Sequence, residues 1–369
     1  MPDTRKNEND PASCFGTPLS RRDFLAAGLA LGPTVSISSA LAALAVAAPA
    51  VAEVAQPASA IALNKKLLPG FDQRLIQTDG VQVDGMMAEG ATINTLVGGG
   101  GPPLMLIHGY PENHLCWHKM VMDLSRRYTL VLPDLRGYGD SSKPGTSPQH
   151  VNYAKSAMGA DLIQVMRTLG FERFQAVGHD RGGRVLQSMM MDYPEQVTRG
   201  VMLDIVPSDL MYESMNKDLG TKYFWWFFHI QKEPLPENFI NALPEYYVRS
   251  HFGIQNRSES TVPPELMADY VRTCGDPAAV HAACEDFRAG AGIDSRVLEA
   301  HRKAGRKIKQ PLLAVWGSKG TIGQSLDVAG LWREEAVNVS GSGLPCGHLI
   351  HEEDPEGLLA LLDGFLDKR

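Results

Sequence analysis

Short apolar runs alternate with amphipathic stretches along most of this chain. Residues 92–97 read as a strand and 103–107 as a second, buried one. Between them, Gly98-Gly99-Gly100-Gly101 reads as a hairpin turn. It lacks the Lys-Ser/Thr that a phosphate-binding loop needs. Residues 128–133 form the next strand. From 153 to 169, Ala157, Leu162, Val165, Met166 and Leu169 recur at helical spacing, and Gly170 ends the helix. An apolar strand at 174–177 passes through a glycine-rich turn into a helix-compatible run at 184–191. Another strand spans 200–205, with Asp204 close to its end; a strand at 311–316 and an amphipathic helix at 355–366 follow. This alternation predicts an α/β fold, a mostly parallel sheet with helices on both faces. Between 207 and 300 helical patterns, prolines and aromatics replace it, densest in Tyr223-Phe224-Trp225-Trp226-Phe227-Phe228-His229. The expectation is a helical cap at 207–300, inserted between core segments 61–206 and 301–369. No internal repeat is visible.

The first 60 residues have a different character. Ser20-Arg21-Arg22-Asp23-Phe24-Leu25 fits a twin-arginine export box, and a weakly apolar, Ala-rich run follows it. Ala50-Val51-Ala52 or Ala58-Ser59-Ala60 suits a signal peptidase. The implied partner is the twin-arginine export machinery, and the implied location is the periplasm. Gly28, Gly32, Pro33 and Pro49 make the same run a poor membrane span. Of five cysteines, Cys14 falls in this leader. Cys116, Cys274, Cys284 and Cys346 show no metal spacing; an oxidising compartment would allow one disulfide among them, which sequence cannot pair. The remaining composition is ordinary, with a net charge of -7 that gives nucleic acid no basic surface to bind.

The glycine-rich turn carries the candidate chemistry. Gly178-His179-Asp180-Arg181-Gly182 has the Gly-x-nucleophile-x-Gly pattern of a nucleophile elbow, with an acid where Ser is usual. A sharp strand-to-helix turn needs small neighbours and exposes its central side chain at a helix N-terminus. The plainer reading is an Asp that caps the helix. Asp180, Asp204 and His348 each fall near a strand end, where sites on such sheets lie. An Asp nucleophile suits displacement at saturated carbon, giving an ester that a base-activated water then hydrolyses. Dehalogenation and epoxide opening both fit. Neither needs a metal or organic cofactor. His114, His118 and His351 read as structural, since His348-x-x-His351 has no further ligand at metal spacing.

The chain resembles the fluoroacetate (haloacetate) dehalogenase branch of the α/β-hydrolase superfamily from about Gly99 to the C-terminus. The resemblance rests on His108-Gly109-Tyr110-Pro111 with Trp117-His118, Asp134-Leu135-Arg136-Gly137-Tyr138-Gly139, Gly178-His179-Asp180-Arg181-Gly182-Gly183-Arg184, Leu203-Asp204-Ile205, Cys284-Glu285-Asp286-Phe287-Arg288-Ala289-Gly290 and Gly347-His348. It implies an α/β-hydrolase fold with an inserted cap, and a homodimer. It implies Asp180 as nucleophile, His348 as base and Asp204 as the acid that orients it. The turn after the later strand, Trp316-Gly317-Ser318-Lys319-Gly320, has no carboxylate to compete with Asp204. The backbone amides of Tyr110 and Arg181 would form the oxyanion hole, and the side chains of Arg181 and Arg184 would grip a substrate carboxylate. The halide pocket departs from the family. Where its members use His, Trp and Tyr donors, this chain has Trp225, Trp226 and Phe287. Phe donates no hydrogen bond. The expected substrate is therefore a short 2-haloacid, chloro- or bromoacetate ahead of fluoroacetate. An epoxide hydrolase, with donors among Tyr223, Tyr246, Tyr247 and Tyr270, is the alternative; a non-catalytic binding protein is a second. Arg181 and Arg184 argue against a neutral epoxide.

Overall fold

The computed structural model describes residues 56–256 and 261–367. The twin-arginine box, the Ala-rich run, Ala50-Val51-Ala52 and Cys14 lie outside them. The described chain opens with helix Ala58–Leu67, so Ala58-Ser59-Ala60 forms its first turn and Ala60 is buried. That helix starts three residues before the core segment expected from 61. No helix among the described residues is long and apolar enough to cross a membrane.

The strands are β1 (Asp72–Gln77), β2 (Val81–Val83), β3 (Met86–Ala88), β4 (Thr92–Gly99), β5 (Pro103–Ile107), β6 (Thr129–Pro133), β7 (Phe174–His179), β8 (Val197–Leu203), β9 (Leu312–Gly317) and β10 (Val339–Leu344). Eight of them form one sheet in the order β1-β4-β6-β5-β7-β8-β9-β10, with β2 and β3 paired apart. Pairing is parallel from β6 through β5 to β10 and antiparallel at β1·β4 and β4·β6. One expectation fails here: β4 pairs with β6, not β5, so the glycine run is no hairpin turn. It carries the chain past β6. Gly99 and Gly101 have positive φ, and a Cβ on either would fall within 2.4 Å of the Tyr128 or Arg127 carbonyl oxygen.

Strand periodicity divides the core between the two faces. Met105 and Ile107 face one cluster with Val131 and Ala176, under helices Lys155–Thr168 and Arg181–Asp192. Leu104 and Leu106 face the other with Leu130, Val177 and Leu203, under helix Pro355–Leu366. The Gly/Ser-rich edge strand β10 and the polar β1 lacked the apolar signal that marked the central strands. From Ser208 to Lys303 the described chain is helical, and prolines open several helices where a missing N–H costs nothing. Asp276 caps helix Pro277–Ala289 by accepting from the amides of Ala278 and Ala279 at 3.0 and 3.2 Å. Cys116, Cys274, Cys284 and Cys346 are free and buried.

Candidate functional site

The ends of β5, β7, β8 and the loop after β10 converge. Asp180 follows β7 with φ 45° and ψ -114°, a strained conformation for a residue with a Cβ. The flanking glycines permit it. A Cβ on Gly178 would lie 2.6 Å from the Gly183 Cα, and one on Gly182 would lie 2.4 Å from the carbonyl oxygens of His108 and Ile107. The Asp180 side chain does not cap its helix. Instead its Oδ1 accepts from the Tyr110 amide at 3.1 Å, and its Oδ2 lies 4.0 Å from His348 Nε2. His348 Nδ1 donates to Asp204 Oδ2 at 2.6 Å. Asp204, also at positive φ, is fixed by the Gly317 amide donating to its Oδ1 at 2.9 Å. The structure thus brings Asp180, Asp204, His348 and the Tyr110 amide into one chain of contacts, and leaves His348 Nε2 buried without a partner.

Electrostatics divides these groups. Burial pushes the Asp180 carboxyl up, but the charges of His348, His179, Arg181 and Arg184 outweigh it and hold the group below the usual carboxylate range. For His348, burial lowers the imidazole pKa. The hydrogen bond and charge of Asp204, then the charges of Asp180 and Glu112, raise it to about 9.

The two arginines differ. Arg181 is anchored: Nε donates to Asp286 Oδ2 at 2.7 Å, and Nη2 to the Asp286 carbonyl and Oδ1, both at 3.0 Å. Its guanidinium lies 4.2 Å from the Phe287 ring centroid. Among the described residues only its Nη1 is uncommitted. Arg184 Nη1 donates to the Val206 carbonyl and Ser208 Oγ, both at 2.9 Å, and its guanidinium lies 4.5 Å from the Trp226 ring. Arg184 has no acidic partner among the described residues, and its buried Nε has no hydrogen bond. It is therefore no surface salt bridge. Burial, then the charge of Arg181, pulls its pKa down to about 10.

Above the elbow, Trp225, Trp226 and Phe287 are buried together. Trp226 and Phe287 meet edge to face at 6.2 Å. Two histidines to which the sequence assigned no site role join them. His229 stacks on Phe287 at 4.4 Å, donates from Nδ1 to the Trp225 carbonyl and accepts at Nε2 from the Tyr247 hydroxyl. His251 packs against Trp225 at 4.6 Å and Tyr110 at 5.0 Å. Of the four tyrosines considered for epoxide opening, Tyr246 is exposed and Tyr270 stacks on Phe252 in the core cluster of the opposite sheet face. Tyr223 and Tyr270 are both buried with a hydroxyl that has no partner among the described residues, and of the two it is Tyr223, 4.9 Å from Trp225, that lies in the aromatic wall.

Beneath the elbow lies a second set that sequence spacing could not assemble. Glu112 accepts from His179 Nδ1 at 2.8 Å and from His351 Nε2 at 2.9 Å, while His179 Nε2 donates to the His348 carbonyl at 3.1 Å. One ligand atom from each of Glu112, His179 and His351 lies within 4.8 Å of the others, so His351 does have potential co-ligands. In the structure Glu112 bonds both histidines, which ties the loop that carries His348 to the elbow.

Residues 102–355 match the family model for the alpha/beta hydrolase fold. A fluoroacetate dehalogenase from Burkholderia sp. is 38% identical over 301 residues, covering 81% of this chain and 95% of that protein. A soluble epoxide hydrolase from Corynebacterium sp. (strain C12) is 30% identical over 274 residues, 73% and 92% of the two chains. A crystallised Nostoc sp. PCC 7120 protein, a candidate α/β hydrolase, superposes with a TM-score of 0.76 at 43% identity, covering 81% of this chain and 99% of that one. The chain therefore belongs to the α/β-hydrolase-fold family, and it is a hydrolase.

Proposed function

We propose that this protein hydrolyses the carbon–halogen bond of short 2-haloacids, with chloro- and bromoacetate ahead of fluoroacetate. Arg184 carries the reading: a buried guanidinium beside Asp180, with no acid of its own, requires an anion. The substrate carboxylate takes that place, completed by Arg181 Nη1, and the halogen-bearing carbon then faces Asp180. The 38% identity to a fluoroacetate dehalogenase supports the same substrate class.

Asp180 Oδ2 attacks that carbon and the halide leaves with the bonding pair. The resulting ester keeps Oδ1 against the Tyr110 amide. His348 Nε2 then takes a proton from water, and the hydroxide adds to Asp180 Cγ. The amides of Tyr110 and Arg181 hold the oxyanion on Oδ1. Collapse releases the 2-hydroxyacid, regenerates the carboxylate and leaves the proton on His348. Asp204 keeps the imidazole oriented throughout. Phe287 offers the leaving group no donor, which favours chloride and bromide over fluoride. Losing a charge-assisted donor costs about 1.5–3 kcal/mol, about one to two decades in rate.

Halide release from bromo-, chloro- and fluoroacetate tests this reading. Release that Asp180→Ala leaves unchanged would refute the mechanism, and fastest turnover of fluoroacetate would refute the halide order. An epoxide hydrolase using the same triad is the second reading. The free Tyr223 hydroxyl favours it, as does the Corynebacterium relative. Hydrolysis of a neutral epoxide with no halide release from any haloacid would put it first. Export by the twin-arginine box at Ser20–Leu25 belongs to the proposal as well.

A further inference from the structure

His251 is a buried imidazole without a hydrogen bond among the described residues. It sits on helix Pro244–Asn256, in the helical segment above the elbow, and is 3% exposed. Its neighbours are aromatic: Trp225 at 4.6 Å, Tyr110 at 5.0 Å and Tyr247 at 6.3 Å between ring centroids. Its Nε2 is enclosed with no partner, and no bond to Nδ1 exists among the described residues. His229, by contrast, uses both ring nitrogens. A neutral imidazole always carries one N–H. Left unsatisfied in an apolar wall, that donor loses its hydration with nothing in return. A fold tolerates such a cost where a ligand completes the bond.

The position says which ligand atom that is. Tyr110 links His251 to the reaction centre, because its ring packs on His251 while its amide holds Asp180 Oδ1. Trp225, on the other side of the imidazole, is in the wall expected to receive the leaving group. The substrate carboxylate is accounted for by Arg184 and Arg181, and water activation by His348. The departing atom alone lacks a strong donor, since Phe287 supplies none. We propose that the imidazole N–H of His251 donates a hydrogen bond to the departing halide and sets the range of halides the enzyme expels. This rests on the dehalogenase reading above and deepens it. His251 is neutral in that role: burial, then the charge of His229, pushes it down to about 3. It stabilises the developing anion as a dipole and transfers no proton. The indole N–H groups of Trp225 and Trp226, also without partners among the described residues, complete the donor set.

The test is kcat/KM for fluoro-, chloro- and bromoacetate in the wild type, His251→Phe and His251→Gln. This parameter reports carbon–halogen cleavage and omits later ester hydrolysis. Phe keeps the ring and removes the donor; Gln restores an N–H. The loss in His251→Phe should steepen with leaving-group difficulty, about 10–100-fold for fluoroacetate and only about 2-fold for bromoacetate. His251→Gln should recover most of it. An equal loss for all three halides, no loss, or a Gln variant as selective as Phe would overturn the assignment. A wild type that releases no halide from any of the three would instead overturn the dehalogenase reading itself.

Discussion

At the scale of single residues, the pairing of Asp180 with His348 separates the two halves of the proposed reaction. In the free enzyme His348 is raised to about 9, so below that pH it is mostly protonated and helps keep Asp180 ionised. Asp180 is held below the usual carboxylate range, so alkylation needs no deprotonation at neutral pH. Ester hydrolysis does, because a protonated His348 cannot accept a proton from water. Once Asp180 is alkylated its charge is gone, and one of the causes that raise His348 goes with it. The base therefore titrates below 9 in the ester intermediate. The rate of ester disappearance after rapid alkylation with bromoacetate should climb with pH and level off before 9. Rapid-quench mass spectrometry reads it directly, and a rate that is flat or falls with rising pH would contradict this order of events. Asp180, Asp204 and His348 were legible in the sequence because each follows a strand signal or a glycine motif. His251 and Glu112 were not. A lone His in a helical stretch looks like any buried aromatic, and Glu112 meets His351 only because a loop and the short helix Ile350–Glu353 fold together from 239 residues apart.

At the scale of elements, the elbow is the place where backbone sterics make chemistry available. Strand β7 must turn into helix Arg181–Asp192 so closely that Gly182 nests against the carbonyls ending β5. That contact brings the Tyr110 amide to Asp180. Gly182→Ala would drive a methyl to within 2.4 Å of two backbone oxygens, which cannot retreat without moving β5. Overpacking of this kind costs about 1–3 kcal/mol. Thermal denaturation should show that loss, and halide release should fall further than stability, since the Tyr110 amide moves with β5. A variant with wild-type melting and wild-type turnover would show that the close approach is not needed. The same elements mark where sequence reading succeeded and failed. Buried parallel strands announce themselves by continuous apolar runs, so β5 to β9 were visible. Their order was not. Gly98 to Gly101 look like a hairpin turn locally, and only the antiparallel pairing of β4 with β6 shows that the chain passes a strand before pairing again.

At the scale of the whole molecule, one buried carboxylate ties the helical segment to the sheet. Asp286, on helix Pro277–Ala289, binds Arg181 of the elbow helix, the Tyr138 hydroxyl at 2.5 Å and Lys155 at the start of helix Lys155–Thr168. All four residues are buried, or very nearly so. Burial raises the Asp286 carboxyl, but Arg181 and Lys155 lower it well below the ordinary aspartate range. A carboxylate depressed in this way contributes stability that is present above the unfolded value of about 3.9 and lost as the pH falls below it. Asp286→Asn removes the charge at every pH. Lys155 keeps Asp294 at 3.3 Å, but Arg181 has no second anchoring carboxylate among the described residues and remains a desolvated cation beside Arg184. Breaking one side of a buried pair costs about 3–5 kcal/mol. Chemical denaturation at neutral pH should show a loss of that order, and the difference from wild type should shrink in acid as the native carboxylate protonates. Because Arg181 also contributes an amide and a guanidinium nitrogen to the proposed site, KM for bromoacetate should rise together with the instability. If Asp286→Asn were destabilised by the same amount at acid and neutral pH, the link would be packing rather than charge, and Phe287 and His229 packing edge-on against Tyr110 would be what holds the helical segment over the elbow.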